Sequence, residues 1–376
     1  MRGDPEAVLA AARLLAASRS PVLIAGDAVA QTDALAEMVE LAELLGAPVY
    51  AEGIPSRATF PSTHPLFQSN MQRLSPQIRA ALEPHDVLFS VGGDLFTQSL
   101  PTKADPVPPT TAIIHLDTDP WELGKNHAED VSILGDPKST LPDIVAALRR
   151  ELGAEGLKRC KARLETARKA SATRLAALHK EAEALADKSP VRPLALMKAV
   201  GDLLPKDAVI VEEALSSADR MRFLIPSIDS RSWYGLRGGG IGWGVPATIG
   251  VKLAQPGRPV VGIIGDGSSM YAIQALWSAA HHKIGCAVFV ILNNGSYRIL
   301  KQRMNAMREY AAQADHYPAM DLVDPEIDFV GLAAALGVKG ARAGSVAEFR
   351  EVFKRAVAGN EPFVIDVAMD RSFKPL

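Results

Sequence analysis

Cysteine is nearly absent: Cys160 and Cys286 are the only two in 376 residues. So few thiols exclude a disulfide-stapled secreted scaffold, and reduced cysteines in a cytoplasmic protein are the expected setting. A surplus of either charge is missing as well. Lys and Arg number 41 against 43 Asp and Glu, which offers nucleic acid or an anionic membrane no electrostatic handle. No apolar run approaches the ~20 residues that span a bilayer. The opening MRGDPEAVLAAARLLAAS repeats its apolar positions at helical spacing and lacks the layout of a signal peptide. What is present is 48% hydrophobic and 22% charged, a core-forming composition in a chain long enough for two domains.

The most informative stretch is 260–300. Val260, Val261, Ile263 and Ile264 form an apolar run of strand length that Gly265-Asp266-Gly267 breaks. Ser268 then stands where a helix would be capped, and Ile273, Leu276, Trp277 and Ala280 recur on one helical face. A second apolar run, 287–292, ends in Asn293-Asn294-Gly295. This pattern predicts a βαβ unit with Asp266 and Asn294 at the carboxyl ends of parallel strands, where such folds bind ligands.

The residue types at those ends suggest a chemistry. Asp and Asn offer hard oxygen donors that suit magnesium or calcium far better than zinc. Glycines beside Asp266 let backbone N–H groups approach an anion, and the expected helix would point its positive end there. A plain strand-turn-helix would account for Gly-Asp-Gly alone. It does not account for the second strand ending in Asn-Asn.

GDG followed at this distance by NN resembles the signature of thiamine-diphosphate-dependent enzymes, and GDGSSMYAIQALWSAA and GGGIGWGVPATIGVKLA resemble the benzoylformate decarboxylase and acetolactate synthase branch. The resemblance implies that Asp266, Asn294 and the carbonyl of Ser296 ligate magnesium. It also places Gly265, Gly267, Ser268, Tyr297 and the hydroxyls of Ser216 and Ser217 against thiamine diphosphate. Ile241, in the loop Arg237-Gly238-Gly239-Gly240-Ile241-Gly242, would prop the cofactor in its bent form, with Gly239 and Gly240 beside it. The implied activity is that of a lyase: decarboxylation of a 2-oxo acid, with acetolactate-synthase-like carboligation as the alternative. Ile299 and Leu300 could line an apolar substrate pocket or be helix core.

Earlier in the chain, helix and strand signals alternate from residue 4 to about 148. PVLIAGD, APVYA, DVLFSVGGD, TAIIHLDTD and VSILGDP read as strands, and Ser139 or Thr140 as the cap of a helix reaching Arg150. Alternation of this kind predicts a doubly wound α/β domain over residues 1–150, a second over 191–376, and a charged helical linker over 151–190. Neither Gly26-Asp27 nor Gly92-Gly93-Asp94 sits in a GxGxxG pattern, so both read as strand-end turns. The first half resembles the central domain of the same family, through GIPSRATFPSTHPLF and HLDTDPWELGKNHAEDVSILGD. That domain holds FAD in acetolactate synthases, but the basic residue expected after DVLFSVGGDLF is absent, so FAD is not expected here.

Family members also need a pyrimidine-binding domain, whose glutamate hydrogen-bonds the aminopyrimidine ring. The chain starts directly on the central-domain match, and Glu52, Glu212 and Glu213 lie in the wrong surroundings to substitute. His281 and His282 end the expected helix and could cap its carbonyls. Three readings stay open: one subunit of a split enzyme, a piece of a longer enzyme, or a non-catalytic binding or assembly module. For the first two the resemblance implies a homo- or hetero-oligomer that receives the pyrimidine-binding domain from elsewhere, with the chain inactive alone.

Overall fold

The computed structural model describes residues 1–372 except 101, 215 and 219. Two compact units divide the chain, residues 1–176 with 226–231, and 177–225 with 232–376. The span Pro137–Ala184 is two helices that meet at a non-helical Gly153 (φ 57°, ψ −173°), just past the suggested boundary at residue 150. The first begins earlier than expected. Asp136 Oδ1 accepts the Ser139 N–H at 3.0 Å, so Asp136 is the cap and Ser139 and Thr140 lie inside the first turn.

The first unit holds β1 (Pro21–Ala25), β2 (Val49–Ala51), β3 (Phe67–Asn70), β4 (Val87–Val91), β5 (Ala112–Asp117) and β6 (Val131–Leu134). They form one parallel sheet in the order β3-β2-β1-β4-β5-β6. All five residues of β1 and of β4 are buried, because helices cover both faces of a parallel sheet and each strand becomes a continuous apolar run. Helix Pro5–Ala17 starts as its sequence predicts: Asp4 Oδ1 accepts from Glu6 N and Ala7 N at 3.0 Å, and Pro5 needs no donor there. Residues 226–231 belong to this unit. Ser227 and Ser62 exchange N–H to hydroxyl bonds at 3.0 Å, and Ser230 Oγ donates to Asp33 at 3.0 Å.

The second unit holds β7 (Val209–Glu213), β8 (Trp233–Gly235), β9 (Val260–Gly265), β10 (Ala287–Asn293), β11 (Lys339–Ala343) and β12 (Pro362–Ala368). Their order is β11-β12-β10-β9-β7-β8, again all parallel. Both sheets are the α/β class that the alternation predicts. Phe289, Ile291, Leu276, Phe329 and Val364 pack in one buried cluster under β10. No helix among the described residues is long and apolar enough to cross a membrane.

Candidate active site

In the second sheet β9 lies between β10 and β7, so their carboxyl ends bring Asp266, Asn294 and Glu213 to one edge of the unit. Asp266 is buried. Its Oδ1 accepts the Gly267 N–H at 2.8 Å and its Oδ2 the Gly295 N–H at 2.6 Å. Burial pushes the Asp266 carboxyl above its usual range, and backbone N–H groups from Gly267, Gly295, Ser296 and Asn294 pull it back. Any cation here would share the carboxylate oxygens with these N–H groups.

Asn294 is buried beside it, and its two ends differ. Nδ2 reaches Ser217 Oγ at 3.2 Å, whereas Oδ1 is buried with no hydrogen-bond partner. A buried amide oxygen left bare costs about 1–3 kcal/mol unless something binds it. Ser296 spends its hydroxyl on the Met320 carbonyl at 3.0 Å, and Tyr297 N donates to the same carbonyl at 2.9 Å. The Ser296 main-chain carbonyl is the oxygen that the family resemblance offers to a metal. Among the described residues no three His, Cys, Asp or Glu side chains converge as a metal site. A cation here would rest on one carboxylate with amide and carbonyl oxygens, a donor set that fits magnesium.

The glycine loop is held by a residue that sequence reading set aside. Glu213 is buried at the end of β7, and its Oε1 accepts the Gly242 N–H at 2.6 Å while Oε2 accepts that of Gly244. Gly244 is the first residue of helix Gly244–Ala254, so a protein carboxylate already meets its N-terminal end. Burial raises the Glu213 carboxyl, and the N–H groups of Gly244, Gly242 and Trp243 oppose that. Gly239 (φ 70°) and Gly242 (φ 98°) take left-handed backbone that favours glycine. Gly238, Gly239 and Gly240 are exposed, and Ile241 is half-buried between them and Gly242. Tyr297 packs closely against Gly267, where a Cβ would stand 2.5 Å from its Cε1. Burial, with Tyr271 and Asp266 nearby, raises the Tyr297 hydroxyl.

Some expectations are corrected. Gly265, not Ser268, caps the helix after β9, which lasts only Asp266–Ser269 before a turn leads to Ala275–His281. So short a helix carries little dipole, and any anion there must be met by individual N–H and hydroxyl groups. Leu276 is fully buried as the helical face predicts, but Trp277 is 53% exposed. His281 stacks on Trp277 at 4.7 Å rather than capping carbonyls. Leu300 is exposed and Ile299 half-buried. Glu212 accepts from Trp233 Nε1 at 2.8 Å and from Arg222 at 3.0 Å, a structural role. Arg298, buried against Ser216 and Ser217, was not singled out; its only signal was a charge among apolar and polar neighbours.

In the first unit the strand-end glycines pack backbone to backbone. A Cβ on Gly26 would stand 2.2 Å from Gly93 Cα, and the Ala28 N–H donates to the Gly92 carbonyl at 2.9 Å. Buried Glu52 accepts the Asp27 N–H at 2.9 Å in the same place. Close backbone approach is what these glycines serve.

Two family models match. Residues 8–144 match the thiamine pyrophosphate enzyme central domain, and residues 221–367 the thiamine pyrophosphate enzyme C-terminal TPP binding domain. A benzoylformate decarboxylase of Pseudomonas aeruginosa is 32% identical over 354 residues, covering 94% of this chain and 62% of that protein. An acetolactate synthase of Mycobacterium bovis is 32% identical over 369 residues, covering 95% of this chain and 56% of the relative. Among solved structures, the thiamine diphosphate-dependent 4-hydroxybenzoylformate decarboxylase of Rhodococcus jostii superposes with a TM-score of 0.82 at 29% identity, over 99% of this chain and 66% of that one. The chain thus spans under two thirds of the length of these relatives.

Proposed function

This chain belongs to the thiamine pyrophosphate enzyme family, and from that premise we propose that it anchors the diphosphate of thiamine diphosphate through magnesium in a 2-oxo acid decarboxylase. The observation that carries the reading is the bare, buried Oδ1 of Asn294 next to the Asp266 carboxylate. Asp266, Asn294 and the Ser296 carbonyl would hold the metal. Ser216, Gly267 and Ser268 would meet the diphosphate oxygens with N–H and hydroxyl donors, and Gly265 and Tyr297 would wall the same end. Glu213 sets the backbone of the glycine loop, and Ile241, with Gly239 and Gly240 beside it, would support the cofactor's rings. When bound, thiamine diphosphate supplies a carbon nucleophile and the electron sink for loss of carbon dioxide.

Among the carboxylates described here, Glu213 and Glu212 are committed to N–H groups of their own unit, as is Glu52 in the other. The reading therefore gives the aminopyrimidine contact to none of these three. A pyrimidine-binding domain, on a longer form of this chain or on another chain, would complete an oligomeric enzyme, and this chain alone would turn over little or nothing. Its two cysteines are free and buried, which accords with a reducing cytoplasm. Acetolactate-synthase-like carboligation is the second reading, favoured by the Mycobacterium bovis relative at equal identity.

The test is carbon dioxide release from a panel of aromatic and aliphatic 2-oxo acids, by the chain alone and with a separately expressed pyrimidine-binding domain. Release only from the combination supports the proposal. Full turnover by the chain alone, or none from any substrate by the combination, would refute it.

A further inference from the structure

Arg298 is 5% exposed, so a guanidinium charge is buried at the start of helix Arg298–Ala306. Nη1 donates to the carbonyls of Asp370 at 3.0 Å and Ser372 at 3.2 Å. Nη2 donates to the Ser216 carbonyl at 3.1 Å and to Ser217 Oγ, and Nε reaches Ser216 Oγ at 3.4 Å. All of these acceptors are neutral. The Asp370 carboxylate, the obvious counter-ion, is instead bonded to Arg192. Burial lowers the guanidinium from its usual value, and the charges of Asp370 and Asp266 act against that.

Ser217 Oγ is the junction. It has two lone pairs and one proton. Arg298 Nη2 fills one lone pair and Asn294 Nδ2, at 3.2 Å, fills the other. Two consequences follow. The Asn294 amide is held with nitrogen toward Ser217, so its oxygen is the end left bare. The Ser217 hydroxyl, with both lone pairs used, is left to donate its proton, which suits an anionic oxygen such as that of a phosphate.

Resting on the cofactor reading above, we propose that Arg298 is a positioning residue: it holds Ser217 as a pure donor toward the diphosphate and, through Ser217, fixes the Asn294 oxygen toward the metal. A planar fork is needed, because three elements are joined at once: the Ser216–Ser217 turn, the segment after β12, and the helix that carries Arg298 itself. A lysine ammonium has the charge but not the fork.

The experiment is calorimetric titration of the full chain with thiamine diphosphate in excess magnesium, for wild type, Arg298→Met, Arg298→Lys, Ser217→Ala and the Ser217→Ala/Arg298→Met double variant. Circular dichroism checks each fold, and Arg298→Lys, which keeps the charge, stands in should Arg298→Met not fold. Each single variant is expected to bind about 10-fold or more weakly, as for loss of a charge-assisted hydrogen bond. The double variant should bind no more weakly than the worse single one, because both act through one atom. Multiplying losses, or wild-type affinity in Arg298→Lys, would overturn the inference while leaving the cofactor reading intact. No binding by wild type would overturn the cofactor reading and this inference with it.

Discussion

The main-chain N–H of Gly295 donates to Asp266 Oδ2 at 2.6 Å, which pins the turn after β10 to the carboxylate that ends β9. Through this bond the two halves of the GDG and NN signature become one piece of structure. Asp266 receives the backbone of both loops, and a cation bound there would share its oxygens with those N–H groups.

Gly267 has little room for a side chain. A Cβ there would stand 2.5 Å from Tyr297 Cε1 and 2.8 Å from Cδ1, so the ring must move. Gly267→Ala is expected to destabilise by about 1–3 kcal/mol, the cost of overpacking a close contact, and to weaken magnesium-dependent cofactor binding. Urea unfolding with a cofactor titration checks both. Unchanged values in both would contradict the Tyr297–Gly267 contact.

Ile241 separates a packing role from a cofactor role. It is half-buried at the end of an exposed glycine run, so Ile241→Ala should cost about 1 kcal/mol or less in stability. Its loss of decarboxylation in the completed enzyme should be much larger. A variant that is markedly unstable yet fully active per folded molecule would make Ile241 a core residue only.

Glu213 gives a pH dependence with a definite sign. Burial holds its carboxyl above the ordinary value of 4.5 in the native state. The native state therefore binds the proton more tightly than the unfolded chain does. The stability this contributes is complete below about pH 4.5 and is lost as pH rises through the native value. Glu213→Gln has no such titration, so its unfolding midpoint should fall less than wild type's over that window. Parallel pH profiles for the two proteins would rule this out.

The sequence revealed the strands that are buried on both faces, because β1, β4, β9 and β10 are near-continuous apolar runs. It did not reveal β3, β8 and β11, and all three are sheet edges. An edge strand pairs on one side only: Phe67–Asn70 and Lys339–Ala343 are mostly half-buried or exposed, and Trp233–Gly235 is three residues long. Asp266 and Asn294 were legible because their chemistry is local to strand ends. Glu213 and Arg298 were not. What each does depends on N–H groups and hydroxyls that the fold delivers from distant segments, and no local spacing encodes that.

Magnesium-dependent binding of thiamine diphosphate tests the central claim most directly. Titration calorimetry on wild type, Asp266→Ala and Asp266→Asn, each with magnesium and with a chelator in its place, isolates the metal's part. Wild type is predicted to bind only with magnesium, and both variants to fold and yet show no magnesium-dependent binding, since no neighbouring side chain replaces the lost charge. Equal affinity for wild type in the chelator, or undiminished affinity in either variant, would contradict the account.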